Sequence, residues 1–212
     1  MTHTNHRQGT VDSLNRDYVV FMYAATRIND KGAGPKLQEF LRLGLNYGPV
    51  NIGSPRVGNL FTVSASALLE GVRGEKKAYV VLDDRHRAEA LVKDVAKADL
   101  GVSVIVSGLF NEVDGMCRSA GIQRHTAQCS LGVWGKVDKL PQESEVLDIS
   151  TMCGHGMVSF NLVRRMADDV RNNRLSLEKA AGIMAKPCVC GVFNPARAAE
   201  LLDQYIAGNP GR

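Results

Sequence analysis

The pattern of apolar and polar positions is clearest between residues 77 and 106. Lys77–Leu82 is an almost unbroken apolar run of strand length, Arg85–Ala98 has the spacing of an amphipathic helix, and residues 102–106 form a second apolar strand. Strands that are apolar on both sides indicate a sheet covered on both faces. The segment therefore predicts a β-α-β unit, either a right-handed parallel crossover or the split form of ferredoxin-like sandwiches, and the sequence leaves this choice open.

Shorter segments of the same two kinds lie on either side of this unit. Strands are expected where β-branched and aromatic residues run together, and helices where apolar residues recur every three or four positions. These patterns predict strands at 18–25, 126–133 and 145–149, and helices at 36–45, 64–72 and 111–120.

The last third of the chain has a helical pattern. Apolar residues recur at helical spacing from Val158 to Val170. Asn194 followed by Pro195 is a typical helix start, because Asn caps free amides and Pro fits the first turn. No internal repeat is evident in the residues themselves.

Together these segments predict an α/β fold in which β-α-β units form a mixed or ferredoxin-like sheet, with a helical C-terminal part. The chain has 212 residues, of which 44% are hydrophobic, so it is long enough to bury a full core. We expect a disordered tail at 1–16, an α/β core at 17–150, and a helical segment at 151–212 that carries the Cys motifs and packs with the core as one unit.

Composition and charge disfavour several classes of partner. The net charge of +4 comes from 26 basic and 22 acidic residues without a long basic run, and aromatic residues make up 6%, so no nucleic-acid surface is predicted. No run approaches the ~18 apolar residues of a membrane span and no signal peptide is evident, so a cytoplasmic location is expected. Five cysteines, an odd number, favour reduced thiols or metal ligands over a disulfide framework.

Three of the five cysteines lie in two short segments that also contain glycine. The first segment carries Cys153 and His155, and the second carries Cys188 and Cys190. Side chains two residues apart in extended backbone point to one side, so Cys188 and Cys190 can face one centre. We predict that the three cysteines are metal ligands. Glycine lets the backbone approach a ligand closely, which predicts three cofactor-binding positions: Gly154, Gly156 and Gly191.

The position of Cys153 also indicates a reactive thiol. The strand predicted at 145–149 is followed almost directly by a helix, so Cys153 is expected at a strand-turn-helix junction. The free amides and the helix dipole at such a junction lower the pKa of a thiol. Cys153 and His155 are therefore the predicted catalytic residues.

Two kinds of metal centre fit these residues. Three cysteines suit a [4Fe-4S] cluster with one iron open to substrate, whereas three cysteines and His155 suit a closed zinc site. The cluster is the preferred prediction, because helix amides near both segments would stabilise its negative charge. In addition, the sequence lacks the paired Cys-x2-Cys units of most structural zinc sites.

The sequence thus predicts an iron-sulfur-binding cytoplasmic protein and leaves open whether it is an enzyme. An iron-sulfur-dependent lyase or oxidoreductase would act on a small anionic substrate at the open iron. The alternatives are a zinc-binding structural module, a metal-free enzyme with Cys153 as nucleophile and His155 or His125 as base, and cysteines that are only small buried hydrophobes. A homodimer is the default oligomeric state by base rate, and neither nucleic acid nor a membrane is an expected partner.

Other polar residues are weaker candidates. Cys117 and Cys129 fit packing roles on a helix and a strand, although the fold could bring either near the site. Arg56 and Arg197 could bind a carboxylate or a phosphate through their paired donors, but surface positions are the default for Arg. Asn59 lies in a glycine-rich segment without a predicted role.

Overall fold

A computed structural model describes residues 7–209 of the chain. In these residues, nine α-helices surround a single five-stranded sheet. The strands are β1 Tyr18–Tyr23, β2 Asn51–Ser54, β3 Gly58–Asn59, β4 Lys77–Leu82 and β5 Ser103–Ser107. Their order across the sheet is β3-β2-β4-β1-β5, and every neighbouring pair is antiparallel.

The helices fall into two groups along the chain. The first group precedes residue 120 and the second follows residue 143. The helices are α1 Val11–Leu14, α2 Ala33–Leu45, α3 Ala65–Gly71, α4 Arg85–Ala98, α5 Phe110–Ser119, α6 Ser144–Thr151, α7 Phe160–Arg171, α8 Leu177–Ala185 and α9 Pro195–Gly208.

The α/β class predicted from the sequence is confirmed, but the sheet is not mixed. Strands β4 and β5 both pair with β1, which lies between them, so they run parallel to each other without being neighbours. The sheet is therefore antiparallel throughout, and the ferredoxin-like order is not confirmed.

The two faces of the sheet are covered by different helices. Val19 and Tyr79 point into a core that contains the buried residues of α6 to α9, whereas Val20 and Val80 point into a core formed with α2 to α5. Side chains alternate between the faces because a strand has a period of two residues. Coverage on both faces explains why β1 and β4 are apolar at nearly every position.

Two predicted strands are absent from the structure. Residues 145–149 form part of α6, because Val146, Ile149 and Ser150 share one buried helix face at spacings of three and four. So short an apolar run does not distinguish strand from helix. Residues 126–133 have no regular structure and are exposed, because no strand pairs with them.

The predicted start of α9 is confirmed, since Asn194 caps this helix with Pro195 in its first turn. At the start of α4, the Oδ1 atom of Asp84 accepts a hydrogen bond from the Arg87 N–H at 2.8 Å and caps the helix. The first six residues of the predicted tail lie outside the described residues. Residues 7–16 contain α1 and contact the C-terminal helices. Among residues 7–209, no helix has the length and apolar character needed to cross a membrane.

Candidate metal centre

The two cysteine segments form two turns with the same conformation. The first turn, residues 152–159, joins α6 to α7, and the second turn, residues 187–194, joins α8 to α9. In the first turn the N–H of Gly156 donates to the carbonyl oxygen of Cys153 at 3.0 Å. In the second turn the N–H of Gly191 donates to the carbonyl oxygen of Cys188 at 2.8 Å. The donating residue is a glycine with positive φ in both turns, 68° and 78°.

The resemblance extends into the flanking helices, with each equivalent position 35 residues further along the chain. Ser159 and Asn194 are equivalent N-caps, and the buried Val158 and Phe193 precede them. The three buried residues of α6 have buried equivalents in α8, which buries two further residues: Val146, Ile149 and Ser150 correspond to Ala181, Met184 and Ala185. The C-terminal part is therefore a structural repeat of two helix-turn-helix units, which corrects the expectation that the chain has no internal repeat.

The packing of these units brings their donor side chains together. The sulfurs of Cys188 and Cys190 are 3.9 Å apart, and the Cys190 sulfur is 3.9 Å from Nδ1 of His155. Cys153 is close enough to Cys188 to raise its own pKa through that side chain. Three of the four side chains thus contact one another in sequence, and Cys153 lies beside Cys188. Among residues 7–209, no group of three or more Cys, His, Asp or Glu side chains is already arranged to hold a metal ion.

Backbone amides point at all three sulfurs. The N–H groups of His155 and Met157 donate to Cys153. The N–H of Phe193 donates to Cys188, and the N–H of Val192 donates to Cys190. Hydrogen bonds from amides favour the charged form of a sulfur. The three thiols are buried, at 3% exposure or less, so these amides replace the water that would otherwise solvate a thiolate.

The three thiols shift the pKa values of one another. Interaction with Cys188, together with burial, raises the pKa of Cys153. Interaction with Cys153 lowers the pKa of Cys188, but interaction with Cys190 and burial outweigh it and raise that pKa to about 12. Interaction with Cys188 lowers the pKa of Cys190, whereas the pKa values of the other two thiols are raised.

The predicted environment of Cys153 is wrong. Cys153 lies just after the C-terminal end of α6, and the next helix begins only at Phe160, so no helix N-terminus faces it directly. Its pKa is raised rather than lowered, because it interacts with the Cys188 side chain and is buried. The expectation of an activated thiolate at a strand-turn-helix junction is corrected accordingly.

Two asparagines of the sheet hold the second turn in place. The Nδ2 atom of Asn59 donates to the carbonyl oxygens of Cys188 at 2.8 Å and Ala185 at 3.2 Å, and Nδ2 of Asn51 donates to the Phe193 carbonyl at 3.0 Å. Both asparagines are fully buried. The sequence marked Asn59 only by its glycine-rich surroundings. Asn51 was not identified from the sequence. The one sign of its role is that an amide side chain stands at the start of a buried strand.

The three predicted glycine positions differ in their surroundings. Gly191 packs against the backbone of β2, since a Cβ there would lie 2.7 Å from the Cα of Gly53. A Cβ on Gly156 would meet nothing within 4 Å, and Gly154 is half-buried. The positive φ of Gly191 and its contact with Gly53 give it a clear structural reason to be glycine.

The remaining candidates lie elsewhere. Cys117 is on α5, and Cys129 and His125 are in the exposed irregular segment. Arg56 is exposed, whereas Arg197 is 1% exposed, which overturns the surface placement expected for it.

A buried ion-pair network beside the second turn was not anticipated from the sequence. The Oδ2 atom of Asp17 accepts from Nη1 of Arg7 at 2.6 Å and from Nη1 of Arg197 at 3.0 Å. Asn194 donates to the other oxygen of the same carboxylate at 3.1 Å. Asp17 precedes the apolar run of β1 and Arg197 follows a helix cap, so their only signal is a charge next to an expected core element.

Comparison of the chain with protein families, with curated proteins and with solved structures finds no match.

Proposed function

We propose that this protein binds a single zinc-type metal ion through Cys153, His155, Cys188 and Cys190. The proposal rests on one observation: two equivalent turns each provide a pair of donors, and the pairs contact one another. Three cysteines and one histidine are a common ligand set of structural zinc sites. The Cys-x-His and Cys-x-Cys spacings take the place of the Cys-x2-Cys units that the sequence lacks.

Two of the six distances between the four donors suit one small ion. Zn–S bonds of about 2.3 Å in a tetrahedron place two sulfurs about 3.8 Å apart. The sulfurs of Cys188 and Cys190 are 3.9 Å apart, as are the Cys190 sulfur and the His155 ring nitrogen. Side-chain rotations that bring Cys153 and His155 round the same point would close the chain of contacts.

The proposed role of the ion is structural. Four protein ligands leave no coordination position open for a substrate. The ion would join the two helix-turn-helix units at the turns, and its binding free energy would then be part of the folding free energy. Asn51 and Asn59 would extend this link to the sheet, because they bind the backbone of the second turn.

An iron-sulfur cluster is the second candidate. It is favoured by the burial of three sulfurs beneath an exposed His155, since a cluster held by three cysteines alone would have its open iron towards solvent. A small anionic substrate could then bind that iron. Against the cluster, each cysteine binds a different iron, which requires sulfurs further apart than ligands of one ion.

Metal analysis of anaerobically purified protein tests both candidates. We expect about one zinc per chain, without acid-labile sulfide or visible colour, as a single-ion site requires. Stoichiometric iron and sulfide with visible absorption would establish the cluster instead. If neither zinc nor iron and sulfide binds after anaerobic reconstitution, both candidates fail.

Variants of the fourth ligand separate the two centres further. His155→Ala should weaken zinc binding because it removes one of four ligands, whereas a cluster held by three cysteines would retain its iron. His155→Cys should restore zinc binding, because the equivalent residue of the second turn is already a cysteine. Cys117→Ser and Cys129→Ser are matched controls that should leave the metal content unchanged.

A further inference from the structure

The N-terminal segment contacts both helix-turn-helix units of the proposed centre. The N–H of Gln8 donates to Oγ1 of Thr151 at 3.4 Å, immediately before the first turn, and Arg7 donates through Nη2 to the carbonyl oxygen of Val192 in the second. The Arg7 side chain is 5% exposed although it lies near the start of the chain. Burial of a guanidinium is costly unless charge and hydrogen bonds offset it, so a specific partner is expected.

The charges around Arg7 are incompletely balanced. Asp17 is shared, because one of its oxygens accepts from both Arg7 and Arg197, and Asn194 binds the other oxygen. The half-buried Asp148 interacts with Arg197. Nε of Arg7 is buried without a hydrogen-bond partner. Two guanidinium groups thus share the buried carboxylate, and Arg7 has a positive charge that Asp17 only partly offsets.

The proposed metal centre would supply the missing negative charge. Zn²⁺ with three thiolates and a neutral imidazole has a net charge of −1, whereas three protonated thiols have none. Arg7 is connected to this centre through one residue: it binds the carbonyl of Val192, and the N–H of Val192 donates to the Cys190 sulfur. A positive charge at this position favours the thiolate over the thiol.

We infer that Arg7 is a positioning residue of the metal centre, which fixes Val192 and balances the negative charge of the metal-bound thiolates. This inference rests on the proposed metal site. It assigns residues 7–17 to the site, as a segment that joins the two helix-turn-helix units, rather than to a free tail.

Zinc affinity measured by competition with a chromophoric chelator tests this role. Arg7→Gln keeps hydrogen-bonding capacity but removes the charge, and we expect its zinc dissociation constant to rise about 10- to 100-fold, as for other residues that support metal ligands. Arg7→Lys keeps the charge and should recover most of the affinity. Arg16→Gln is the control, since Arg16 forms an exposed ion pair with Glu200 and should bind zinc like the wild type.

Asp17→Asn gives a result of opposite sign. It leaves both guanidinium groups without the shared carboxylate, so the metal-free protein should melt at a lower temperature. The negatively charged metal centre then offsets more of the charge of the two guanidinium groups than it does in the wild type. The rise in melting temperature on adding zinc should therefore exceed that of the wild type. A purely structural role of the network predicts no such increase.

The outcomes distinguish the role of Arg7 from the proposed zinc site on which it depends. If the wild type binds no zinc, the metal site itself fails. If it binds zinc and folded Arg7→Gln binds equally well, or if Arg7→Lys loses as much affinity as Arg7→Gln, the role of Arg7 is overturned and the site stands. If Arg7→Gln does not fold, Asp17→Asn decides instead. A zinc-induced rise in its melting temperature no larger than that of the wild type overturns the role of Arg7.

Discussion

The contact between Asn59 and the second turn leads to a sharp prediction. Asn59→Asp replaces one amide nitrogen by oxygen and leaves the shape of the side chain unchanged. The Oδ1 atom still accepts from the Phe61 N–H at 2.8 Å, but the two hydrogen bonds donated to Cys188 and Ala185 are lost. A charged carboxylate would also face these two carbonyl oxygens and the nearby thiolates.

The magnitude follows from the two donated bonds. Both carbonyls keep a backbone donor, the N–H of Gly191 for Cys188 and the N–H of Cys188 for Ala185. Each lost bond therefore costs about 0.5–1.5 kcal/mol, and the two together cost about 1–3 kcal/mol. In a chain of this length each kcal/mol lowers the melting temperature by about 2–4 °C, so a loss of at least about 2 °C is expected. Zinc affinity should fall as well, because Asn59 holds the backbone of a proposed ligand, Cys188.

Thermal unfolding and zinc competition measure both effects. Asn111→Asp is the control: Asn111 is exposed in the first turn of α5, where a carboxylate is tolerated by the helix dipole. A melting temperature and zinc affinity of Asn59→Asp equal to those of the wild type would refute the conclusion that Asn59 holds the second turn.

Three further predictions follow from single features of the fold. Gly191→Ala should lower the melting temperature far more than Gly132→Ala, because both glycines have positive φ but only at Gly191 would a Cβ collide with backbone, that of Gly53; equal losses would contradict this. Hydrogen bonds, of which the one from Lys93 contributes most, lower the pKa of Glu89 to about 2. The stabilising contribution of Glu89 is therefore complete above about pH 4.5 and is lost as the pH falls towards about 2. Glu89→Gln should flatten the fall in stability between these pH values, and an unchanged acid-unfolding curve would contradict this. Chelation of zinc should speed hydrogen exchange in α6 and α8 more than in α4, and equal acceleration throughout would argue against a local metal link.

Strands β1, β4 and β5 and helices α2 to α5 were predictable because local patterns determine them, whereas β2, β3 and the order of the strands were not. The bounds of β4 and α4 agree with the prediction to the residue, since an apolar run and a helical spacing mark them. Helix α6 was missed because eight residues with an apolar alternation in the middle fit both a strand and a helix. Only its packing against α9 decides between them.

The side chains of the proposed site could be named from the sequence, whereas the residues that support it could not. Cysteines next to glycine drew attention to Cys153, Cys188 and Cys190, and their spacing added His155; that these side chains bind a metal stays a prediction. The partners of Arg7 lie up to 185 positions away in the sequence, so no local pattern reveals its burial. The repeat escaped notice for a related reason: its two halves share conformation and burial, but few identical residues beyond a cysteine and a glycine in each turn.

The place of the site in the repeat explains why a metal ion would be useful there. Helices α6 and α8 have eight and nine residues, below the length at which isolated helices are stable in water. Each ends just before the cysteine of its turn, so an ion bound to both turns would fix the C-terminal ends of both short helices at once. The sheet needs no such link, because β1 and β4 are buried on both faces. A single ion between the turns would therefore add order to this layer of the fold, and the charge of Arg7 would favour the thiolate form that the proposed ion requires.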